Sequence, residues 1–167
     1  MRGLLNVEQR VIRAVSDWHV GDGSKADEFR GRDAEGLRFL QKCKDDEVLV
    51  VYVGDTLDIW QSSVSKVRKA HPDIWTAIEE SDHVYLLGNH DYYIDNESNH
   101  TFNTVRYLFT TAGLFLHGDE FDRWNRRGAV TGKIVTKIAN VLEYVYPNID
   151  NIKFWRDEKY YNYSVAR

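Results

Sequence analysis

Val48-Leu49-Val50-Val51-Tyr52-Val53-Gly54-Asp55-Thr56-Leu57-Asp58 is the stretch that decides the fold. Its first six residues are apolar without a break, the mark of a strand covered on both faces. Gly54 then lets the backbone turn sharply, and two carboxylates follow. In open α/β sheets the ligand site lies beyond the carboxyl ends of the strands, so a buried strand that runs into Asp55 points to such a rim.

On either side the pattern repeats. Residues 9–16 alternate loosely through Val11, Ile12, Ala14 and Val15 and read as an earlier strand; residues 82–87 read as a third. Residues 20–31, with three Gly and several charges, read as a loop. Asp33 is expected to cap a helix whose apolar face uses Leu37, Leu40 and Cys43. A second helix is expected over 62–80, broken near Pro72. Further on, 105–109 and 114–116 read as two strands around Ala112-Gly113. Residues 124–146 carry Ile134, Ile138, Val141, Leu142 and Val145 at helical spacing and stop at Pro147. Strands alternating with helices predict an α/β fold with a mainly parallel sheet.

The 167 residues fit a single domain over 1–167, and 43% hydrophobic with 13% aromatic content supplies a sizeable core. A net charge of −4 offers no general attraction to nucleic acid or anionic membrane. Cys43, the only cysteine, excludes an internal disulfide and a cysteine-based zinc site. No signal segment opens the chain, and no run approaches the ~18 apolar residues of a membrane span. The expectation is a soluble protein of the cytoplasm.

Four polar motifs carry chemistry: Ser16-Asp17-Trp18-His19, Gly54-Asp55-Thr56-Leu57-Asp58, Gly88-Asn89-His90-Asp91 and His117-Gly118-Asp119. Asp17, Asp55 and Asn89 each fall just past an expected strand. Asp17 and His19 stand two apart, so at an extended strand end both side chains would point to one side. A carboxylate with an imidazole suits a divalent transition ion such as Mn, Fe or Zn. Asp55 is placed to bridge two ions, with Asn89 and His117 adding a carbonyl oxygen and a second imidazole. Two ions ~3.5–4 Å apart clamp both ends of a phosphoryl displacement and generate a hydroxide nucleophile near neutral pH. His90 is the candidate proton donor to the leaving group, with Asp91 expected to fix its tautomer. His71, His83 and His100 lack such company and are read as surface or structural residues.

Together the motifs resemble the calcineurin-like metallophosphoesterase superfamily, and the likeness runs over residues 10–122. It implies a metallophosphoesterase-type sandwich of mixed β-sheets flanked by helices. It further implies Asp17 and His19 on a first metal, Asp55 as the bridge and Asn89 and His117 on a second. His90 and Asp91 then serve as leaving-group acid and its orienter, and Asp58 holds an outer hydrogen-bonding position. The implied activity is hydrolysis of a phosphomonoester, phosphodiester or pyrophosphate bond with two divalent ions, Mn foremost and Fe or Zn as alternatives.

The segment His117-Gly118-Asp119-Glu120-Phe121-Asp122 is similar to the branch that contains UDP-2,3-diacylglucosamine hydrolase. In that branch a helical insertion follows the motif. Residues 123–150 stand where such a lid would, with Arg123, Arg126 and Arg127 to meet phosphate and an amphipathic face open to peripheral lipid contact. Those hydrolases commonly carry Arg where this chain has His90, which points to a generic member of the branch.

The pattern is incomplete: the superfamily's later Gly-His-x-His does not occur, and His117 is the last histidine. Three protein ligands then remain for each ion, counting Asp55 twice. The reading is of a C-terminally truncated domain, with Phe154 to Tyr163 as aromatic surface that would promote self-association. A reduced but functional enzyme and a non-catalytic binding or scaffold protein are the alternatives. A nuclease would need a basic groove that this acidic chain does not advertise.

Overall fold

The computed structural model describes residues 11–96, 100–111 and 113–121. The chain is mixed α/β. Strands β1 (Ile12–Val15), β2 (Leu49–Val53), β3 (His83–Leu86) and β4 (Thr104–Val105) form one parallel sheet in that order. Strands β5 (Leu108–Thr110) and β6 (Gly113–Phe115) form an antiparallel hairpin. Helices α1 (Asp33–Asp45), α2 (Val64–Ala70) and α3 (Pro72–Glu80) make the connections.

The unbroken apolar run of β2 does what its pattern requires. Val50 and Tyr52 join a core with Leu40 and Cys43 of α1, Val67 of α2 and Ile74, Trp75 and Ile78 of α3. Leu49 and Val51 face the other way, to Val84, Leu86 and Leu108, with Phe115 packed against them. All three helices thus cover one face of the sheet, and the hairpin packs on the other.

Two boundaries differ from the expectation. Asp33 does not cap α1. It is the first helical residue, and the position before it, Arg32, makes no side-chain cap. The Asp33 carboxylate is engaged by His71 instead, 2.7 Å away. The break expected near Pro72 within 62–80 is present and makes two helices, α2 and α3, with His71 between them and Pro72 opening α3, where its missing N–H costs nothing. The strand expected at 105–109 is also two. Val105 ends β4 beside Leu86, and Leu108 begins β5 opposite Phe115. The chain changes sheets at Arg106-Tyr107, where no Gly or Pro marks the step. The helix expected over 124–146, the lid at 123–150 with its arginines, and the aromatic tail from Phe154 to Tyr163 lie outside the described residues. Among the described residues no helix is long and apolar enough to cross a membrane.

Candidate metal centre

The four motifs meet at one end of the sheet. Asp17 lies two residues beyond β1, Asp55 two beyond β2, Asn89 three beyond β3 and His117 two beyond β6. What aligns the first two loops is backbone pairing that continues past the strands. The Asp17 N–H donates to the Gly54 carbonyl at 3.2 Å, that of His19 to Asp55 at 3.0 Å and that of Val20 to Thr56 at 3.0 Å.

Asp17 and His19 are not extended, as their spacing had led us to expect. Both adopt left-handed backbone conformations, φ 55° and 48°, and Asp55 does the same at 52°. Each such non-glycine residue costs ~1–2 kcal/mol, and outliers of this kind concentrate at functional sites. The result still brings the side chains together. His19 Nε2 lies 3.9 Å from Asp17 Oδ1 and 4.0 Å from Asp55 Oδ2.

The same Asp55 Oδ2 lies 3.2 Å from His117 Nε2, which is 3.3 Å from Asn89 Oδ1. One carboxylate oxygen therefore faces two imidazoles, with Asp17 on one side and Asn89 on the other. The Nδ1–H of His117 donates to the Val53 carbonyl at 3.0 Å. That bond orients the ring with Nε2 turned inward, the arrangement expected of a histidine that would ligate an ion in exchange for its Nε2 proton. Asp17, His19 and Asp55 form a group whose donor atoms lie within 4.8 Å of one another. These donors fit divalent transition ions.

Two glycines make the close approach possible. A Cβ on Gly88 would lie 2.6 Å from the Asp55 backbone nitrogen, and one on Gly54 would lie 2.5 Å from His117 Cγ. The electrostatics match the crowding. Burial opposes a charged His117, but the hydrogen bond and charge of Asp55 push it up to about 9. Burial likewise disfavours the Asp55 carboxylate, yet His117 and His90 hold it below the usual carboxylate range.

His90 and Asp91 part company. The Asp91 carboxylate is fully buried and accepts from Gly88 N at 2.7 Å, Thr56 N at 2.9 Å and the Tyr85 hydroxyl at 2.8 Å. It ties the β2 and β3 loops together and does not orient His90. That partner is Asp58, whose Oδ1 lies 3.0 Å from His90 Nδ1. Asp58 reaches His90 from the loop after β2, while Asp91 turns back to Gly88 of its own loop. Burial raises Asp91 to about 6, with the charge of Asp55 adding to it. His90 is also raised: burial works against its charge, but Asp58, Asp55 and Asp91 outweigh that. His19 and His90 lie ring edge to ring face with centroids 4.5 Å apart, and Trp60 covers His90 at 4.6 Å. His19, Asp58 and His90 form a second group with converging donor atoms. Sequence reasoning gave Trp60 no role, since a lone Trp in a loop carries no pattern.

The remaining histidines stand apart from this centre. His71 is buried between Asp27 at 2.8 Å and Asp33 at 2.7 Å. With a carboxylate on each ring nitrogen it is a structural clamp on the loop before α1. His83 donates from Nδ1 to the Ser81 carbonyl at 2.8 Å, and His100 stacks on Phe102.

No protein-family model matches the chain, and no curated protein is similar to it in sequence.

Proposed function

We propose that this protein is a metal-dependent phosphoesterase of the metallophosphoesterase type, with a sandwich formed by its two sheets. One observation carries the reading: a single oxygen, Asp55 Oδ2, lies within 4.0 Å of both His19 Nε2 and His117 Nε2. Asp17, His19 and Asp55 would hold one divalent ion, and Asp55, Asn89 and His117 a second, with Mn the leading candidate and Fe or Zn the alternatives. Such ions supply Lewis acidity to a phosphoryl oxygen and to water.

The chain's own residues supply the rest. His90 donates its Nδ1–H to the Asp58 carboxylate, so the second proton of the charged ring sits on Nε2, turned away from Asp58. That leaves Nε2 to protonate a leaving alkoxide; burial opposes the charged ring, but the nearby carboxylates raise its pKa above the usual value. Trp60 shields one face of the imidazole from water. Asp91 holds the Gly88 and Thr56 amides in place, so that the backbone N–H of His90 can donate to Asp55 Oδ1 at 2.9 Å.

The test is hydrolysis of bis(4-nitrophenyl) phosphate by Mn-supplemented protein. Asp55→Asn and His90→Ala should each lower kcat/KM by about 100-fold or more. Rates unchanged in both variants would sink the assignment.

A second reading, a non-catalytic scaffold, draws on Tyr107, Phe109 and Leu114, apolar side chains exposed at the hairpin. Calorimetric titration decides between them, since an absence of Mn or Zn binding at millimolar concentration favours the scaffold.

A further inference from the structure

Beside the metal centre lies a cavity of about 230 Å³ on the α1 side of the β1 end. Asp17 belongs to both: it lines this cavity and is one of the converging acidic groups of the metal centre. Three of the other walls are rings, those of Trp18, Phe29 and Phe39. Trp18, between the two ligands of the first motif, stacks on Phe29 at 5.5 Å and meets Phe39 edge-on at 5.9 Å. Val15 completes the apolar lining, and Arg32 and Glu35 are its exposed charged residues. Gly36 of α1 has no Cβ to displace Phe29, whose Cζ would lie 2.8 Å from one.

The size is informative. Pockets that enclose a complete small ligand run to ~300–1,000 Å³, so this one suits a single ring-sized part of a larger molecule. Aromatic walls favour a flat, unsaturated ring over a flexible chain, because offset and edge-to-face ring contacts add to area burial. A guanidinium in the lining stacks on the same kind of ring and also pairs with phosphate oxygens. We propose that this cavity receives a planar aromatic ring carried by the phosphate ester on which the metal centre acts. The substrate class is thereby narrowed to aryl or heteroaryl phosphate esters. This inference rests on the phosphoesterase reading.

Phenylphosphonate and methylphosphonate test it. They share a charged head that cannot be hydrolysed and differ in the ring alone. With the full-length, Mn-loaded protein, calorimetry should show phenylphosphonate binding about tenfold more tightly. In Phe39→Leu, which keeps the apolar volume, and in Arg32→Ala, an exposed site that leaves the core untouched, that preference should fall below about threefold. Equal binding of the two phosphonates by the unaltered protein overturns the ring pocket and leaves the phosphoesterase reading standing. A preference that survives both substitutions also overturns it, since the ring must then sit elsewhere. If neither phosphonate binds, the phosphoesterase reading fails and this inference falls with it.

Discussion

Gly88→Ala puts the geometry of the metal centre under its sharpest strain. The new methyl would lie 2.6 Å from the backbone nitrogen of Asp55 and 2.8 Å from its Cγ. Ordinary contact begins at 3.4 Å, so the β2 and β3 loops must separate by about 0.8 Å, the difference between 3.4 and 2.6. Asp55 cannot yield by a rotamer change alone: its Oδ1, the nearest atom, could swing aside, but its backbone nitrogen could not. Overpacking of this kind costs ~1–3 kcal/mol, which in a chain of this size lowers Tm by roughly 2–12 °C. The larger effect should fall on function. A misplacement approaching 1 Å costs about 100-fold in rate, and Mn affinity should drop with it. Gly31→Ala is the control. Its Cβ meets nothing within 4 Å, but φ is +82°, so it should lose ~1–2 kcal/mol of stability from backbone strain alone. The assay pairs thermal unfolding with calorimetric Mn titration. Gly88→Ala should lose both stability and metal, and Gly31→Ala stability alone. Wild-type Mn affinity in Gly88→Ala would refute the close packing of the loops around Asp55.

Three further outcomes follow from other contacts. Asp58→Asn removes the carboxylate beside His90 Nδ1, so the alkaline limb of the pH–rate profile should move to lower pH, whereas Asp91→Asn should mainly lower Tm; the opposite pattern would return the orienting role to Asp91. His71 has its pKa raised: burial opposes the charge, and the hydrogen bonds of Asp27 and Asp33 override it. Its stabilisation is therefore complete below the unfolded value of about 6.5 and is lost as pH rises through the folded value. Urea midpoints should fall above that pH in the wild type more than in His71→Gln. His71→Phe should cost roughly 3 kcal/mol, because it takes the imidazole away from the buried Asp27 carboxylate; an unchanged urea midpoint would count against the clamp.

Much of this architecture can be read from the chain, and the failures have physical causes. The six apolar residues ending at Val53 announce a strand with two covered faces, and the structure covers both. The convergence of Asp17, His19, Asp55, Asn89 and His117 was legible because each follows a strand that ends at the same rim. Their backbone shape was not. Left-handed φ at Asp17 and His19 is imposed by pairing with the Gly54–Thr56 backbone, a tertiary effect invisible in a dipeptide spacing. The roles of Asp58 and Asp91 were exchanged for a related reason. Adjacency in sequence favoured Asp91 as the partner of His90, but a residue's immediate neighbour often points elsewhere, and the partner came from 32 positions away. The step from β4 to β5 was hidden within one apolar run, because Val105 and Leu108 serve the same core from different sheets.

The sheet's strands lie in the order in which they occur along the chain. Each strand therefore pairs with the one before it through a single crossover, and no pairing in the sheet skips an intervening strand. His117 is the exception, since its contacts with Val53 and Asp55 span more than 60 residues. The candidate metal centre is therefore complete only with the hairpin seated on the sheet. An ion that binds His117 and Asp55 together acts as a rivet between the two layers, and its binding energy is returned as resistance of the hairpin to local opening.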